Sequence, residues 1–318
     1  MRLCRFNHKA TIQAGFFLDD RVVPMDAVSK LHRQMTKQEL PAPCCDDLLE
    51  MLPHGENHAT ARVLSTWLVA NRGAMESIAL PVSEVSLLTP IPNPPKILLL
   101  AGNYAEHIRE GGGIAVERQK SYPYLFMKPA STTLNHPGAP VILPSISPHH
   151  IDWEVELGVI IGKRAWQVKE ADALKYVAGY TVMNDVSDRS FKPNPERQPR
   201  QKDSFFDWQH GKWHEGFLPA GPCILPADVA TNPQSFHLTL KVNGKIKQDA
   251  TTAQMIYSVA ATLEFISAFV VLEPGDMIST GTPAGVGHAT GTYLKPGDVC
   301  DAAIDGIGVL RNTFVAAK

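Results

Sequence analysis

The stretch that decides the fold is Asp152-Trp153-Glu154-Val155-Glu156-Leu157-Gly158-Val159-Ile160-Ile161-Gly162. Its β-branched residues predict a strand, in which alternate side chains point to opposite faces. Glu154 and Glu156 therefore share one face, and the apolar residues Val155, Leu157, Val159 and Ile161 share the other. Like charges side by side on one face are mildly destabilising. The pair indicates either an ordinary exposed face of a sheet or a site where a cation lies between two carboxylates.

The bulk composition excludes several classes of protein. A chain of 318 residues with 44% hydrophobic and 19% charged residues is typical of a folded protein with one large or two ordinary domains. The formal charge of −2 gives no electrostatic basis for binding nucleic acid or an anionic membrane. No apolar run approaches the roughly 20 residues that span a bilayer.

The cysteines and the first residues predict the compartment. The five cysteines are scattered at positions 4, 44, 45, 223 and 300, which favours reduced thiols over a disulfide framework or a zinc site. The segment Met1-Arg2-Leu3-Cys4-Arg5 lacks the apolar core of a signal peptide. We therefore expect a cytoplasmic protein.

A proline-rich connector at residues 90–95 predicts a boundary between two domains, 1–92 and 93–318, because prolines disfavour regular structure. Within the first domain the pattern predicts a strand at 11–18 and a helix at about 59–70. Asn243-Gly244 predicts a tight type I′ hairpin turn after a strand at 236–242. Other predicted elements are strands at 96–102, 122–128, 140–144 and 179–183, and helices at 103–110, 171–176 and 254–270.

A histidine and a glutamate follow the strand at 96–102. His107 and Glu110 are neighbours on a helix because they are three residues apart. A carboxylate beside an imidazole fixes its tautomer and raises its basicity, as a water-activating base requires. The alternative is a chance pair on a surface helix. The glycines at 111–113 would give this segment a hinge that could close over a substrate.

Two further segments bear on the chemistry. Asp185 follows a predicted strand, where it would present a third carboxylate to a site. The Gly281–Gly287 loop lacks the Lys-Ser/Thr ending of a P-loop, which disfavours a nucleotide site. Its glycines would instead let backbone N–H groups approach a bound anion.

Five motifs occur in a fixed order over about residues 96–315. They are Gly102–His107; Glu154–Gly158; Asn184–Ser187 with Arg189; Lys212 with Phe217, Pro219, Gly221 and Pro222; and Leu272–Asp276 followed by Gly281–Gly287. Together they resemble the fumarylacetoacetate hydrolase family. The resemblance implies an α+β, mostly β fold, with a mixed β-sandwich roll and a small N-terminal domain. It also implies a homodimer, because members are commonly dimers.

The resemblance implies that Glu154, Glu156 and Asp185 bind a divalent cation, usually Mg²⁺ and sometimes Mn²⁺ or Ca²⁺. Three oxygen ligands suit Mg²⁺ and leave positions for water or for two oxygens of a 2-oxo acid. His149 and His150 do not match the family's ligand positions, and we expect them to be structural.

The remaining implied roles concern catalysis and substrate. His107 and Glu110 match the family's water-activating dyad, and Lys212 matches the lysine that stabilises developing oxyanion charge. Gly281 and Thr282 match the loop that holds the acid end of the substrate. Candidates for lining the pocket are Tyr104, Arg109, Lys128 and Arg189.

The sequence also departs from the founding hydrolase. An additional aspartate ligand of that enzyme is replaced here by the apolar run at 98–100, which places the chain nearer to smaller members with three protein ligands. An insertion at about 190–208 would change the pocket walls, so the resemblance does not carry the substrate over.

The leading hypothesis is a metal-dependent hydrolase that cleaves a C–C bond in an acylpyruvate-type β-diketo acid. Alternatives within the family are a 2-hydroxyhepta-2,4-diene-1,7-dioate or 5-carboxymethyl-2-hydroxymuconate isomerase-decarboxylase of aromatic catabolism, an oxaloacetate decarboxylase, and a hydratase. A non-catalytic relative is disfavoured because the dyad, the lysine and the three carboxylates are all present. A nucleotide-dependent oxidoreductase is disfavoured by the missing phosphate motif.

Overall fold

The computed structural model describes residues 1–40 and 46–317. Cys44 and Cys45 lie outside the described residues, and the other three cysteines are buried and free. The described strands are β1 (Leu3–His8), β2 (Thr11–Phe17), β3 (Arg21–Pro24), β4 (Leu80–Pro81), β5 (Ser86–Leu88), β6 (Ile97–Ala101), β7 (Tyr124–Met127), β8 (Leu134–Asn135), β9 (Val141–Leu143), β10 (Ile151–Asp152), β11 (Val155–Ile161), β12 (Val177–Asn184), β13 (Ser187–Asp188), β14 (Leu218–Pro226), β15 (His237–Val242), β16 (Lys245–Thr251), β17 (Met277–Ser279), β18 (Val299–Ile304) and β19 (Gly308–Ala316).

Among the described residues, helices are fewer than strands. They are α1 (Met25–Thr36), α2 (His58–Ala70), α3 (Arg72–Glu76), α4 (Ala105–Glu110), α5 (Ala130–Thr133), α6 (Glu170–Ala173), α7 (Asp203–His210), α8 (Val259–Ser267) and α9 (Gly287–Thr290). The predicted α+β, mostly β fold is confirmed. Within 1–40 and 46–317, none of these helices is long and apolar enough to cross a membrane.

One large sheet forms the centre of the molecule, in the order β4-β3-β2-β1-β14-β12-β11-β17-β6-β7, with β5 and β8 joined at its side. Strand β11 is buried along its whole length, so the alternative of an exposed face is wrong. A five-stranded sheet, β16-β15-β18-β19-β9, packs against one face. The apolar side of β11 lies in that core, whereas Ile160 on its other side packs with residues of the N-terminal segment.

The strand alternation and the hairpin are confirmed. Asn243 and Gly244 have φ values of 51° and 78° and connect β15 to β16 as the two-residue turn requires.

The helix at 254–270 was predicted too long, since α8 spans only Val259–Ser267. The side chain of Asn103 accepts from the N–H of Tyr257 at 2.8 Å and donates to its carbonyl at 3.0 Å, and these bonds hold the segment before Ser258 in a non-helical bend. Ser258 then caps the helix by accepting from the Ala261 N–H.

The N-terminal strands join the central sheet, because β1 pairs with β14 through Leu3 and Ile224. The division into domains 1–92 and 93–318 stays a prediction.

Candidate active site

Three buried carboxylates meet where β11 begins and β12 ends. Antiparallel pairing sets Val155 opposite Asn184, which places Glu154 beside Asp185, and the Asp185 N–H donates to the Glu154 carbonyl at 2.9 Å. Oxygens of Glu154, Glu156 and Asp185 lie within 4.8 Å of one another. The three residues are at most 5% exposed. The structure therefore brings together the three residues that the sequence predicted as metal ligands.

Three cationic side chains surround these carboxylates. Lys212 Nζ lies 2.8 Å from Glu154 Oε2 and 2.6 Å from Asp185 Oδ2. Arg189 Nη2 donates to Glu154 Oε1 at 2.5 Å, and Lys128 Nζ lies 2.5 Å from Asp185 Oδ1. Of the three carboxylates, Glu156 alone is held by neutral donors, the Ser279 hydroxyl and the Gly281 N–H.

The charges shift the pKa values of the cluster in opposite directions. Burial raises the pKa of Glu154, but Lys212 and Arg189 outweigh burial and hold that pKa well below its usual range. Burial and the neighbouring carboxylates of Asp185 and Glu154 raise the pKa of Glu156 far above normal. Burial lowers the pKa of Lys128 to about 8, although Asp185 opposes the shift. Of the three carboxylates, Glu156 is therefore the one that lacks a cationic side chain in direct contact among the described residues.

The donor set fits a hard divalent cation. All three groups supply oxygen, as Mg²⁺, Mn²⁺ and Ca²⁺ prefer. Asp185 Oδ1 is buried, and among the described residues its one close polar contact is the Lys128 ammonium. A carboxylate oxygen accepts more than one partner, so the contacts to Lys212 and Arg189 do not exclude metal ligation. A cation here would relieve the repulsion that raises the pKa of Glu156.

The predicted dyad forms on α4. His107 Nδ1 lies 2.7 Å from Glu110 Oε1, and Glu110 Oε2 accepts from the Gly285 N–H at 2.8 Å. Burial raises the pKa of Glu110, but the hydrogen bonds from His107 and Gly285 prevail and lower it. An ionised Glu110 holds the proton of His107 on Nδ1, which leaves Nε2 as the basic nitrogen.

The Gly281–Gly287 loop directs its N–H groups at the protein's own carboxylates. Gly281 donates to Glu156, Gly285 to Glu110, and Gly287 to Asp152 at 2.6 Å. We predicted that this loop approaches a bound anion, and in the structure the anions it approaches are side chains. Gly285 has φ +103°, and a Cβ there would lie 2.0 Å from the Lys247 carbonyl oxygen, so only glycine fits.

Asp152 is a site residue that the sequence analysis did not single out. Its fully buried carboxylate accepts from the N–H groups of Trp153, Gly287 and His288 and from Arg189 Nε. It therefore fixes the arginine that contacts Glu154 and the glycine loop at one point. The sequence did contain one indication of this role, because Asp152 lies two residues before Glu154 in the same strand-like stretch.

Two adjacent cavities lie beside the two glutamates and the dyad. An inner chamber of about 60 Å³ reaches Glu154, Glu156, Lys212 and Thr282. An outer vestibule of about 450 Å³ reaches Glu110 and the glycines at 111 and 113. Both are lined by Gly102, His107 and Arg189. The base therefore stands between the carboxylate cluster and solvent.

Two aromatic residues that the sequence analysis did not propose for the site lie against the lysine. Lys212 Nζ is 5.3 Å from the centre of the Phe126 ring and 5.9 Å from that of Trp208. Trp208 lies on α7, inside the segment that was expected to alter the pocket. Cation–π contacts of this kind hold the ammonium in place.

The other candidates for substrate contact lie at different depths. Tyr104 is buried, its hydroxyl has no hydrogen-bond partner among the described residues, and burial together with Glu156 raises its pKa. Thr282 lines the inner chamber, but its hydroxyl donates to the Val155 carbonyl. Lys128 is buried beneath Asp185. Arg109 is not brought into the group, because its exposed side chain pairs with Glu106.

Comparison with known proteins identifies the class. Residues 96–315 match the family described as Fumarylacetoacetate (FAA) hydrolase C-terminal. The chain belongs to the fumarylacetoacetate hydrolase family, and it is an enzyme of that family.

Among curated relatives, the mitochondrial oxaloacetate tautomerase FAHD2A of Bos taurus is 37% identical over 84% of this chain and 79% of its own length. A 2,4-didehydro-3-deoxy-L-rhamnonate hydrolase from Sphingomonas sp. is 38% identical over 77% of this chain and 82% of its own.

Solved structures match over the whole chain. A fumarylacetoacetate hydrolase from Exiguobacterium antarcticum has a TM-score of 0.75 at 28% identity, with both chains fully covered. A maleylpyruvate hydrolase from Sphingobium sp., solved with manganese(II) and pyruvate, has a TM-score of 0.72 at 26% identity, again over both full chains. These relatives carry out hydrolysis and tautomerisation, so they support the family's catalysis without selecting one reaction.

Proposed function

We propose that this enzyme is a divalent-metal-dependent hydrolase that cleaves a C–C bond in an acylpyruvate-type β-diketo acid. The observation that carries the proposal is the position of the His107–Glu110 dyad. Its imidazole lines the same small chamber as Glu154 and Glu156, so a base for water stands beside a cluster fit for a cation.

Glu154, Glu156 and Asp185 would hold the cation, for which we propose Mg²⁺, with Mn²⁺ or Ca²⁺ as substitutes. When bound, it would supply Lewis-acid polarisation of the carboxylate and keto oxygens of a 2-oxo acid. The manganese in the related maleylpyruvate hydrolase supports a divalent metal.

The side chains of the chain account for the proton transfers. Nε2 of His107 takes a proton from water, because Glu110 occupies Nδ1 at 2.7 Å. The water oxygen then attacks the distal carbonyl of the substrate, and the C–C bond next to that carbonyl breaks. The electron pair of that bond leaves on the enolate of the 2-oxo acid fragment, and the proton held by His107 is returned to the enolate carbon. The ammonium of Lys212 stabilises negative charge on the departing fragment, and its pKa is raised because Asp185 and Glu154 outweigh burial. We further propose that Tyr104, Arg189, Gly281 and Thr282 contact the substrate.

A second candidate is keto–enol tautomerisation of oxaloacetate, which the 37% identity to oxaloacetate tautomerases favours. The same base would move a proton between carbon and oxygen, and no water would be consumed. Isomerisation or decarboxylation of a hydroxymuconate-type diacid would likewise use His107 without attack by water.

A substrate panel separates the candidates. Acetylpyruvate, fumarylpyruvate, oxaloacetate and 5-carboxymethyl-2-hydroxymuconate are assayed with Mg²⁺ and with EDTA, in water enriched in ¹⁸O. A hydrolase places ¹⁸O in the new carboxylate of the acid product. Keto–enol conversion of oxaloacetate without release of CO₂ and without hydrolysis of acylpyruvates would establish the tautomerase instead. Hydrolysis that survives complete chelation would contradict the metal-dependent scheme.

The dyad has its own test. His107→Ala should reduce hydrolysis by about 10²- to 10⁴-fold, because a general base contributes that factor. Binding of Mn²⁺, followed by isothermal titration, should be unchanged. His237→Ala on the remote five-stranded sheet is the control for loss of a histidine. Wild-type turnover in His107→Ala would place the base elsewhere.

We also propose a cytoplasmic homodimer that acts on a small 2-oxo acid. The proposed dimer is supported by the resemblance to the family, whose members are commonly dimers. Light scattering coupled to size-exclusion chromatography should give twice the 34.8 kDa chain mass, and a monomer mass would contradict the assembly.

A further inference from the structure

A basic cleft lies on the far side of the active-site loop. It has a volume of about 500 Å³ and is lined by Lys245, Lys247, Lys295 and His149, with Trp153 among its walls. The first two lysines come from β16, and Lys295 comes from the turn before β18. Three lysines thus line one concavity of a chain whose net charge is −2.

The positive charge of this basic cleft is not neutralised internally. In the described part of the chain, no ion pair within 4.0 Å involves Lys245, Lys247 or Lys295. The one carboxylate in the lining, Asp298, accepts hydrogen bonds from the Asn243 side chain and the Lys295 N–H, both at 2.8 Å. Like charges around a concave surface focus the potential and attract an anion with several charges.

The basic cleft is connected to the dyad by consecutive packed contacts. Lys247 Nζ lies 5.7 Å from the centre of the Trp153 ring, and Trp153 is only 1% exposed. Trp153 Nε1 donates to the Gly285 carbonyl at 3.1 Å, and the Gly285 N–H donates to Glu110. The carbonyl of Lys247 also packs where a Gly285 side chain would be. Strand β16 therefore supports the loop that holds the base.

We infer that this basic cleft binds a small polyvalent anion, a phosphate or a polycarboxylate, and that its occupancy restrains the Gly285 loop behind the His107–Glu110 dyad. The anion would be held by Lys245, Lys247 and Lys295 together, because a single lysine near the surface contributes little. Binding draws the three side chains towards one point and tightens β16 against Trp153 and Gly285. The site is separate from the chamber proposed for the substrate, because the two share no lining residue.

Binding is tested by isothermal titration of the full-length enzyme, loaded with Mg²⁺, with inorganic phosphate in one arm and tricarballylate in the other. The variant Lys245→Ala/Lys295→Ala should weaken the preferred anion by about tenfold, since two charge contacts are removed. The control is Lys241→Ala, which removes an exposed lysine of β15 from outside the basic cleft. Its affinity should equal that of the wild type. Equal affinity in all three proteins, or no saturable binding in either arm, would overturn the proposal.

Coupling is tested by amide hydrogen exchange. Saturation with the preferred anion should slow exchange of the Gly285 N–H by about twofold or more in the wild type, and it should have no effect in the double variant. Both exposed lysines lie outside the catalytic chamber, so basal turnover of the double variant should be unchanged. Binding of the anion to the wild type without slower exchange of the Gly285 N–H would overturn the proposed restraint of the loop.

Discussion

Charged groups are used in opposite ways at the two sheets. At the end of β11, carboxylates and cations are almost fully buried, as for Lys128 and Asp185 at 0% and 1% exposure. On the five-stranded sheet, ion pairs lie at the surface, where His237 contacts Asp249 and Asp305.

The comparison distinguishes charged groups that are buried for catalysis from charged groups that stay in contact with solvent. Burying an ion costs several kcal/mol, and an ion pair recovers this only with good geometry and further hydrogen bonds. An exposed pair contributes little because water and salt screen it. The cost of burying this cluster of carboxylates and cations beside one chamber is therefore best explained by function.

The largest effect that would test this contrast is expected for Lys128→Met. The substitution removes one of the two ammonium groups beside the buried Asp185 and leaves Lys212 as the other. It should therefore cost up to about 3 kcal/mol of unfolding free energy, the lower end of the range for breaking a buried pair. Urea denaturation at constant Mg²⁺ measures the loss.

The matched control for Lys128→Met is Lys175→Met, which removes the exposed partner of Asp172. The same measurement should show no significant change. If the two variants lose the same stability, the buried cluster is not held together by its charges.

A smaller effect is expected for Asp152→Asn. Asparagine keeps the shape but removes the charge that fixes Arg189 and the glycine loop, so kcat/KM should fall by about 10- to 100-fold, as for groups that support metal ligands. Asp276→Asn is the control, because Asp276 is also fully buried but pairs with Lys96 away from the chamber. A comparable loss of activity in both variants would show that Asp152 acts only through stability.

The smallest effect is expected for substitution of the surface residue His237. The hydrogen bond with Asp249 raises the pKa of His237, and Asp305 adds to the shift. A raised folded-state pKa stabilises the protein below the unfolded pKa of about 6.5, and that stability is lost as pH rises through the folded pKa. His237→Ala should therefore cost stability at pH 5.5, by less than about 1 kcal/mol given its exposure, and nothing at pH 9. Thermal melts at both values measure it, and a pH-independent loss would exclude the ion pairs as its cause.

The sequence was sufficient for the features that depend on local pattern. The two-residue period placed Glu154 and Glu156 on one face, and the three-residue spacing paired His107 with Glu110. The meeting of Asp185 with both glutamates was implied by family resemblance, since strand pairing across about 30 residues is not visible in local pattern.

Features that depend on distant partners were missed. Asp152 accepts hydrogen bonds from Arg189 and from residues 287 and 288. No rule of local sequence spacing predicts that these distant residues meet. Helix α7 was not predicted, because it follows a polar, proline-rich segment that favours a loop. The predicted helix at 254–270 began too early, because apolar periodicity carries no information about the hydrogen bonds between Asn103 and Tyr257.

The pairing of β1 with β14 has a consequence for how the chain is made. Leu3 and its partner Ile224 are about 220 residues apart, so at roughly 5 to 20 residues per second the ribosome needs about 10 to 45 s to supply the second strand. During that interval this end of β1 has an uncovered backbone edge, which can pair with another nascent chain. Slower elongation or crowded polysomes should therefore lower the yield of native enzyme more than they lower its final stability.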